Sequence, residues 1–177
     1  IYVLGDHSVG AELQGQALVS FGGTDVFVAK LDAVGNVQWI RQAGGLGIDL
    51  GASIFAGPDG SVVVAGEFTG TADLFGTTVS SNGGTTDLFV VKLNTVDGST
   101  AWVRTGGSAT YSDRASDVAV AWDGRVLVAG EFRGAGVFDA GTFNSTIDPG
   151  TSLPGSDVFL MSYTGAGTSE WFKHGSA

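Results

Sequence analysis

The sequence predicts an all-β chain: about three four-stranded antiparallel blades of a β-propeller, the first lacking its inner strand, forming a partial propeller or part of a larger one. Three observations predict it. The segment "SVVVAGEFTG" (Ser61 to Gly70) returns as "RVLVAGEFRG" (Arg125 to Gly134), and "IYVLGDHSVG" at the start is a worn third copy. The segments "DVFVAKL" and "DLFVVKL" are apolar on both faces, so the sheets that hold them are covered on both sides. Thirty glycines stand against three prolines, with Val, Thr, Ser and Phe prominent, a composition of short strands and tight turns.

Each repeat carries four strand segments in one order. The first is "ASIFAG" (Ala52 to Gly57) and "SDVAVA" (Ser116 to Ala121), followed by Asp59-Gly60 and Asp123-Gly124, hairpin turns between apolar runs. Their small residues suit the crowded inner position. The second segment aligns Gly5, Gly66 and Gly130. The third opens on Asp25, Asp87 and Asp157 and sets Val26 and Val28 opposite Phe27, Ala29 and Leu31. The fourth carries Trp39, Trp102 and Trp171 and is read as outermost, with Arg41, Arg104 and Lys173 two residues on and sharing the Trp face.

Landmarks that recur in one order at a period of about sixty residues indicate blades or arrays. The units run over 1–45, 46–108 and 109–177 as one propeller segment of eleven strands. If small sheets cover one another, Phe27, Phe89 and Phe159 are wedged between them. Three blades do not close a ring, which takes about four to eight. The partners expected are therefore other blades of a longer chain, or a protein partner or self-association that completes the propeller. The start at Ile1, without Met or a signal peptide, reads as an excised or processed piece.

"DVFVAKLDAVGNVQWIRQAGG", then "DGSVVVAGEF", and their second copies resemble the bacterial seven-bladed-propeller-like repeat. The resemblance covers nearly the whole chain. It departs where Ser162 answers Lys30 and Lys92, and in the insertions Thr69 to Thr86 and Arg133 to Ser156. It implies a secreted or surface-exposed bacterial protein.

A formal charge of −10 repels phosphate backbones and anionic lipid, which argues against nucleic acid as a partner. No apolar run approaches the roughly twenty residues that span a bilayer, so membrane insertion is not expected. No cysteine is present for a disulfide or thiolate site. The adjacent letters Asp6, His7 and Ser8 spell a hydrolase triad, but neighbours on a strand point to opposite faces and cannot form a relay. His174 reads as a surface histidine. The Gly-rich stretches Gly22-Gly23, Gly44-Gly45, Gly83-Gly84 and Gly106-Gly107 have neither a Gly-Lys-Ser/Thr motif nor a following helix, and read as turns rather than phosphate loops.

The recurring charges have structural readings. Glu67 and Glu131 follow the aligned glycine, and antiparallel pairing places Glu67 at the height of Arg104, two strands or about 10 Å away. A repeated carboxylate–cation pair that fixes blade register is expected. Asp25, Asp87 and Asp157 read as Asx-type turns whose carboxylates accept backbone N–H groups. The competing reading is calcium, with Asp49 and Asp113 as candidate ligands, but no segment has EF-hand spacing and no metal or cofactor is assigned. The function expected is a non-catalytic extracellular module for structure or protein binding, its specificity carried by the two insertions. The alternatives are a carbohydrate-binding or calcium-dependent adhesin and a glycan-active enzyme using two loop carboxylates.

Overall fold

The computed structural model describes residues 1–83 and 86–176, so Gly84 of the Gly83-Gly84 turn lies outside the described residues. The regular structure is β throughout, in seventeen strands among the described residues. In chain order these are β1 (Tyr2–His7), β2 (Glu12–Leu13), β3 (Gln16–Ala17), β4 (Asp25–Leu31), β5 (Val37–Gly45) and β6 (Leu50–Ala56). There follow β7 (Ser61–Thr69), β8 (Thr71–Leu74), β9 (Thr78–Ser80), β10 (Thr86–Asn94), β11 (Thr100–Ser108) and β12 (Arg114–Val120). The last are β13 (Val126–Arg133), β14 (Ala135–Phe138), β15 (Gly141–Asn144), β16 (Ser156–Tyr163) and β17 (Ser169–Ser176).

Three antiparallel sheets hold most of them, in the orders β1-β4-β5-β8-β9, β6-β7-β10-β11-β14-β15 and β12-β13-β16-β17. The repeated segments form the regular part of each sheet. β6 turns into β7 through Gly60, and β12 into β13 through Gly124, both at positive φ where a Cβ is disfavoured. The first sheet has no counterpart of β6 and β12.

The eleven expected strands are corrected to seventeen, because the insertions are themselves β-hairpins. β8–β9 leaves its own repeat to pair with the edge of β5, and β14–β15 does the same on β11. Two of the three sheets therefore have five and six strands rather than four. Each borrowed hairpin covers part of an edge that would otherwise present unpaired backbone groups. The earliest hairpin, β2–β3, pairs only with itself.

The sheets stack face against face. Val26, Val28 and Ala43 of the first sheet share a core with Val62, Val64, Phe89, Val91 and Leu93 of the second. The opposite face of the second, with Val63, Ala65, Leu88 and Val90, packs on Val126, Val128, Phe159, Met161 and Tyr163 of the third. Two-sided burial explains why the third-segment strands lack apolar–polar alternation. Phe89 and Phe159 are enclosed as expected, but Phe27, on the outward face of the first sheet, is only half-buried. Its position opposite Gly5 repeats the pairs Phe89–Gly66 and Phe159–Gly130. In each pair the ring lies across the neighbouring strand, and a Cβ on Gly66 would come to 2.8 Å from the Phe89 ring. The recurring glycine is thus required by the recurring phenylalanine and, at Gly66 and Gly130, also by the Leu50 and Arg114 carbonyl oxygens, which a Cβ would approach still more closely.

Candidate functional site

The recurring polar residues gather at the junctions between sheets. Asp49 lies between β5 and β6, and Asp113 between β11 and β12. One Asp49 oxygen accepts the N–H of Gly45 at 2.7 Å and the other that of Thr69 at 3.0 Å. Asp113 repeats the device with Ser108 and with Arg133, the latter at 2.8 Å. Each carboxylate therefore ties the end of one sheet's Trp-bearing strand to the second strand of the next sheet. Backbone bonds from Asp49 N–H to Thr24 O and from Asp113 N–H to Thr86 O complete the joint.

Asp25, Asp87 and Asp157 are buried at the starts of β4, β10 and β16. Each accepts an N–H from the preceding segment: Phe21 at 2.8 Å, Asn82 at 2.6 Å and Thr146 at 3.0 Å. One oxygen of Asp25 and one of Asp87 make no hydrogen bond. The free Asp87 oxygen packs on Gly107, as does a carboxylate oxygen of Asp113. Burial, reinforced by the neighbouring Asp113 charge, pushes the Asp87 carboxyl up to about 6 against the bond from Asn82. Burial likewise raises Asp49 and Asp113. In the third sheet the partner is a histidine instead: His174 Nδ1 lies 3.0 Å from Asp157. Burial opposes ionisation there too, but the bonds from His174 and Thr146 outweigh it and lower the Asp157 carboxyl.

Calcium takes about six to eight oxygens, and the two carboxylates that are its candidate ligands already accept backbone N–H groups. Both oxygens of Asp49 and of Asp113 face N–H donors, an environment for an anion. Among the described residues no three His, Cys, Asp or Glu side chains converge to hold a metal.

A second recurring assembly lies at the other end of the Trp strands. Trp39 Nε1 donates to Thr95 O at 3.3 Å, and Trp102 Nε1 to Gly165 O at 3.1 Å. Lys30 and Lys92 donate to the same two carbonyls. Arg41 caps Asp97 O, Arg104 caps Gly167 O, and each guanidinium lies about 6 Å over the Trp ring of its own strand. The first and second sheets thus each grip a turn of the next sheet, β10–β11 and β16–β17 respectively. Trp171 has the same place in the third sheet but grips no turn among the described residues, and is 36% exposed where Trp39 and Trp102 are each 8% exposed.

The pairing of Glu67 with Arg104 is corrected. Arg104 instead forms an ion pair with Asp139 at 3.1 Å. Register explains it: Leu88 lies between Glu67 and Gly106, whereas Val90 lies between Ala65 and Arg104. Arg104 is two residues too far along its strand. Glu131 pairs with Arg114, its direct partner across β12 and β13. Glu67 lies in the groove shared with Arg114 and Glu131, where burial raises its carboxyl and the Arg114 charge partly offsets the rise.

Asp6 accepts the Gly51 N–H while buried His7 meets Gln42, so the Asp-His-Ser letters form no relay. His174 lies at the surface, as the sequence reading has it, and there it bonds Asp157 with its ring edge-on to Phe132, centroids 5.4 Å apart. What remains of the second insertion is the 145–156 loop, beside a cavity of about 330 Å³ lined by residues including Ile147, Asp148 and Asp157. Arg114, Asp139 and the hairpins were not found from sequence. The shared "ELQGQ" and "DLFGT" were a usable signal, since Gln14-Gly15 and Phe75-Gly76 both hold the paired positive φ of a two-residue hairpin turn.

No family model matches this sequence, and no curated protein matches it significantly. Among the described residues no helix is long and apolar enough to cross a membrane.

Proposed function

We propose that the chain is a run of β-propeller blades acting as a non-catalytic module for structure or protein binding in an extracellular or surface-exposed bacterial protein. One observation carries the reading. The recurring Asp, Trp, Arg and Lys side chains are spent on backbone groups at the junctions between sheets, which is the work of a stacking unit. The recurring aspartates are buried, and each accepts at least one backbone N–H from a neighbouring segment. The bacterial surface setting rests on the resemblance to the seven-bladed-propeller-like repeat.

The reading is tested by appending a second copy of 46–108 after the third repeat. A stacking module gains a fourth sheet, with a higher urea midpoint and a blue-shifted Trp171 emission. An appended repeat that leaves both unchanged would overturn the assignment.

A further inference from the structure

We propose that the chain associates head to tail with a second copy of itself, the open face and edge of the third sheet receiving the first sheet and the β2–β3 hairpin of the neighbour. This deepens the stacking reading and rests on it, by naming the partner.

The junction in question is made twice inside the chain, so its two halves can be recognised where they stand apart. On the donor side, Val63, Leu88 and Val90 of the second sheet are fully enclosed by the third. Their counterparts in the third sheet, Leu127, Val158 and Leu160, are 37%, 56% and 54% exposed. Trp171 and Lys173 lie on the same face, in the positions from which Trp102 and Arg104 grip the next turn. Shallow apolar grooves cross this face around Leu127 and Leu160.

On the receiving side, Phe27 and Leu31 of the first sheet occupy the positions of Phe89 and Leu93 and are half-exposed. The turn at Asp32–Asn36 matches the gripped turns. Gly35 has positive φ like Gly98 and Gly167, but open space where those two touch Trp39 and Trp102. Seating a third sheet there brings Trp171 Nε1 to the Ala33 carbonyl, as Trp102 Nε1 meets Gly165 O.

The hairpin is the most specific feature. β8–β9 adds to the preceding sheet along β5 while its tip is held by β11 of its own repeat, where Thr100 Oγ1 donates to Phe75 O at 2.6 Å. The tip of β2–β3 is held in the same way: Gln14 Nε2 donates to Gly35 O at 2.6 Å, and Gln14 Oε1 accepts the Val37 N–H. The hairpin is therefore preset in its docked position, while among the described residues it pairs with no sheet edge. The free edge of β17 supplies that edge, with main-chain bonds as in β-strand addition. Transferring the Ala43–Leu74 register sets Gly175 of one copy opposite Leu13 of the next. The contact is heterologous.

The test is equilibrium sedimentation of the 177-residue chain up to about 100 μM, with cysteine cross-linking in a protein that has none of its own. Self-association is expected, and Leu160→Lys, on an already exposed position, should weaken it about tenfold or more. Mixed single variants Leu13→Cys and Gly175→Cys should form a disulfide-linked dimer; a Cβ on Gly175 meets nothing within 4 Å. A monomer throughout the range, association indifferent to Leu160→Lys, or cross-linking no better than with Val96→Cys, a control 86% exposed, would each overturn the proposal. A chain that stays monomeric yet is stabilised by an appended repeat sinks the self-association while leaving the stacking reading standing.

Discussion

Gly167 of the third sheet lies flat against the indole of Trp102 in the second, and a Cβ there would come within 2.8 Å of Trp102 Cγ. Gly98 stands in the same relation to Trp39, with a Cβ 3.0 Å from Cε3. Both hold positive φ, which costs an L-residue about 1–2 kcal/mol, and overpacking adds roughly 1–3 kcal/mol. Gly35 shares the φ but meets nothing. Gly167→Ala and Gly98→Ala should therefore cost about 2–5 kcal/mol in urea unfolding, and Gly35→Ala only about 1–2 kcal/mol. Equal losses at all three would show that the grip of Trp on the turn contributes nothing.

Asp113 satisfies two backbone donors from different sheets, Ser108 and Arg133. Asp113→Ala strands both, at about 1–3 kcal/mol each, partly offset by removing a charge from beside Asp87. A net loss of about 1–4 kcal/mol is expected at neutral pH, with faster amide exchange at those two positions. Calcium or a chelator should leave the unfolding midpoint of the native chain unchanged. A calcium-dependent rise that Asp113→Ala removes would reassign these carboxylates to a cation.

Asp87 also sets a pH dependence whose sign is opposite to that of an ordinary paired carboxylate. Its folded-state value of about 6 lies above the ordinary 3.8, so the folded state binds the proton more tightly than the unfolded chain does. Stability from this group rises as pH falls from about 7 towards 4, by roughly 1–3 kcal/mol. Asp59 and Asp157 work the other way. Burial opposes each, but the Lys92 and His174 contacts hold their carboxyls low, and their contribution is lost only as pH falls through those lowered values. The difference between the native chain and Asp87→Asn isolates the first effect. A difference that stays flat between pH 7 and 4.5 would mean that Asp87 is ionised throughout.

How much was legible in the sequence depended on whether a residue's role was local. Asp59-Gly60 and the two-faced apolar strands announce a hairpin and a covered sheet through side-chain pattern alone, and both are present. The Glu67–Arg104 pairing failed because strand order leaves register open, and a shift of two residues moved Arg104 from Glu67 to Asp139. The role of Asp49 and Asp113 was hidden for another reason. Their partners are backbone N–H groups of two different sheets, and backbone carries no letter in the sequence.

The hairpins offer a comparison within one molecule. Phe138 of β14 reaches across the junction into an aromatic cluster, stacked on Phe172 at 4.7 Å between centroids and edge-on to Phe132 at 5.5 Å. Its β-strand extends the second sheet while its ring packs in the core shared with the third, so removing the ring opens a cavity between two sheets. Phe138→Ala should cost about 3–5 kcal/mol. Leu13 occupies the matching position in β2, but its hairpin joins no sheet within the chain. Leu13→Ala should cost less than about 1 kcal/mol in dilute monomer. Should head-to-tail contacts form, that cost grows with protein concentration, because the buried Leu13 surface then contributes to association as well as to folding. A urea midpoint for Leu13→Ala that tracks the native chain at every concentration would place this side chain outside any contact.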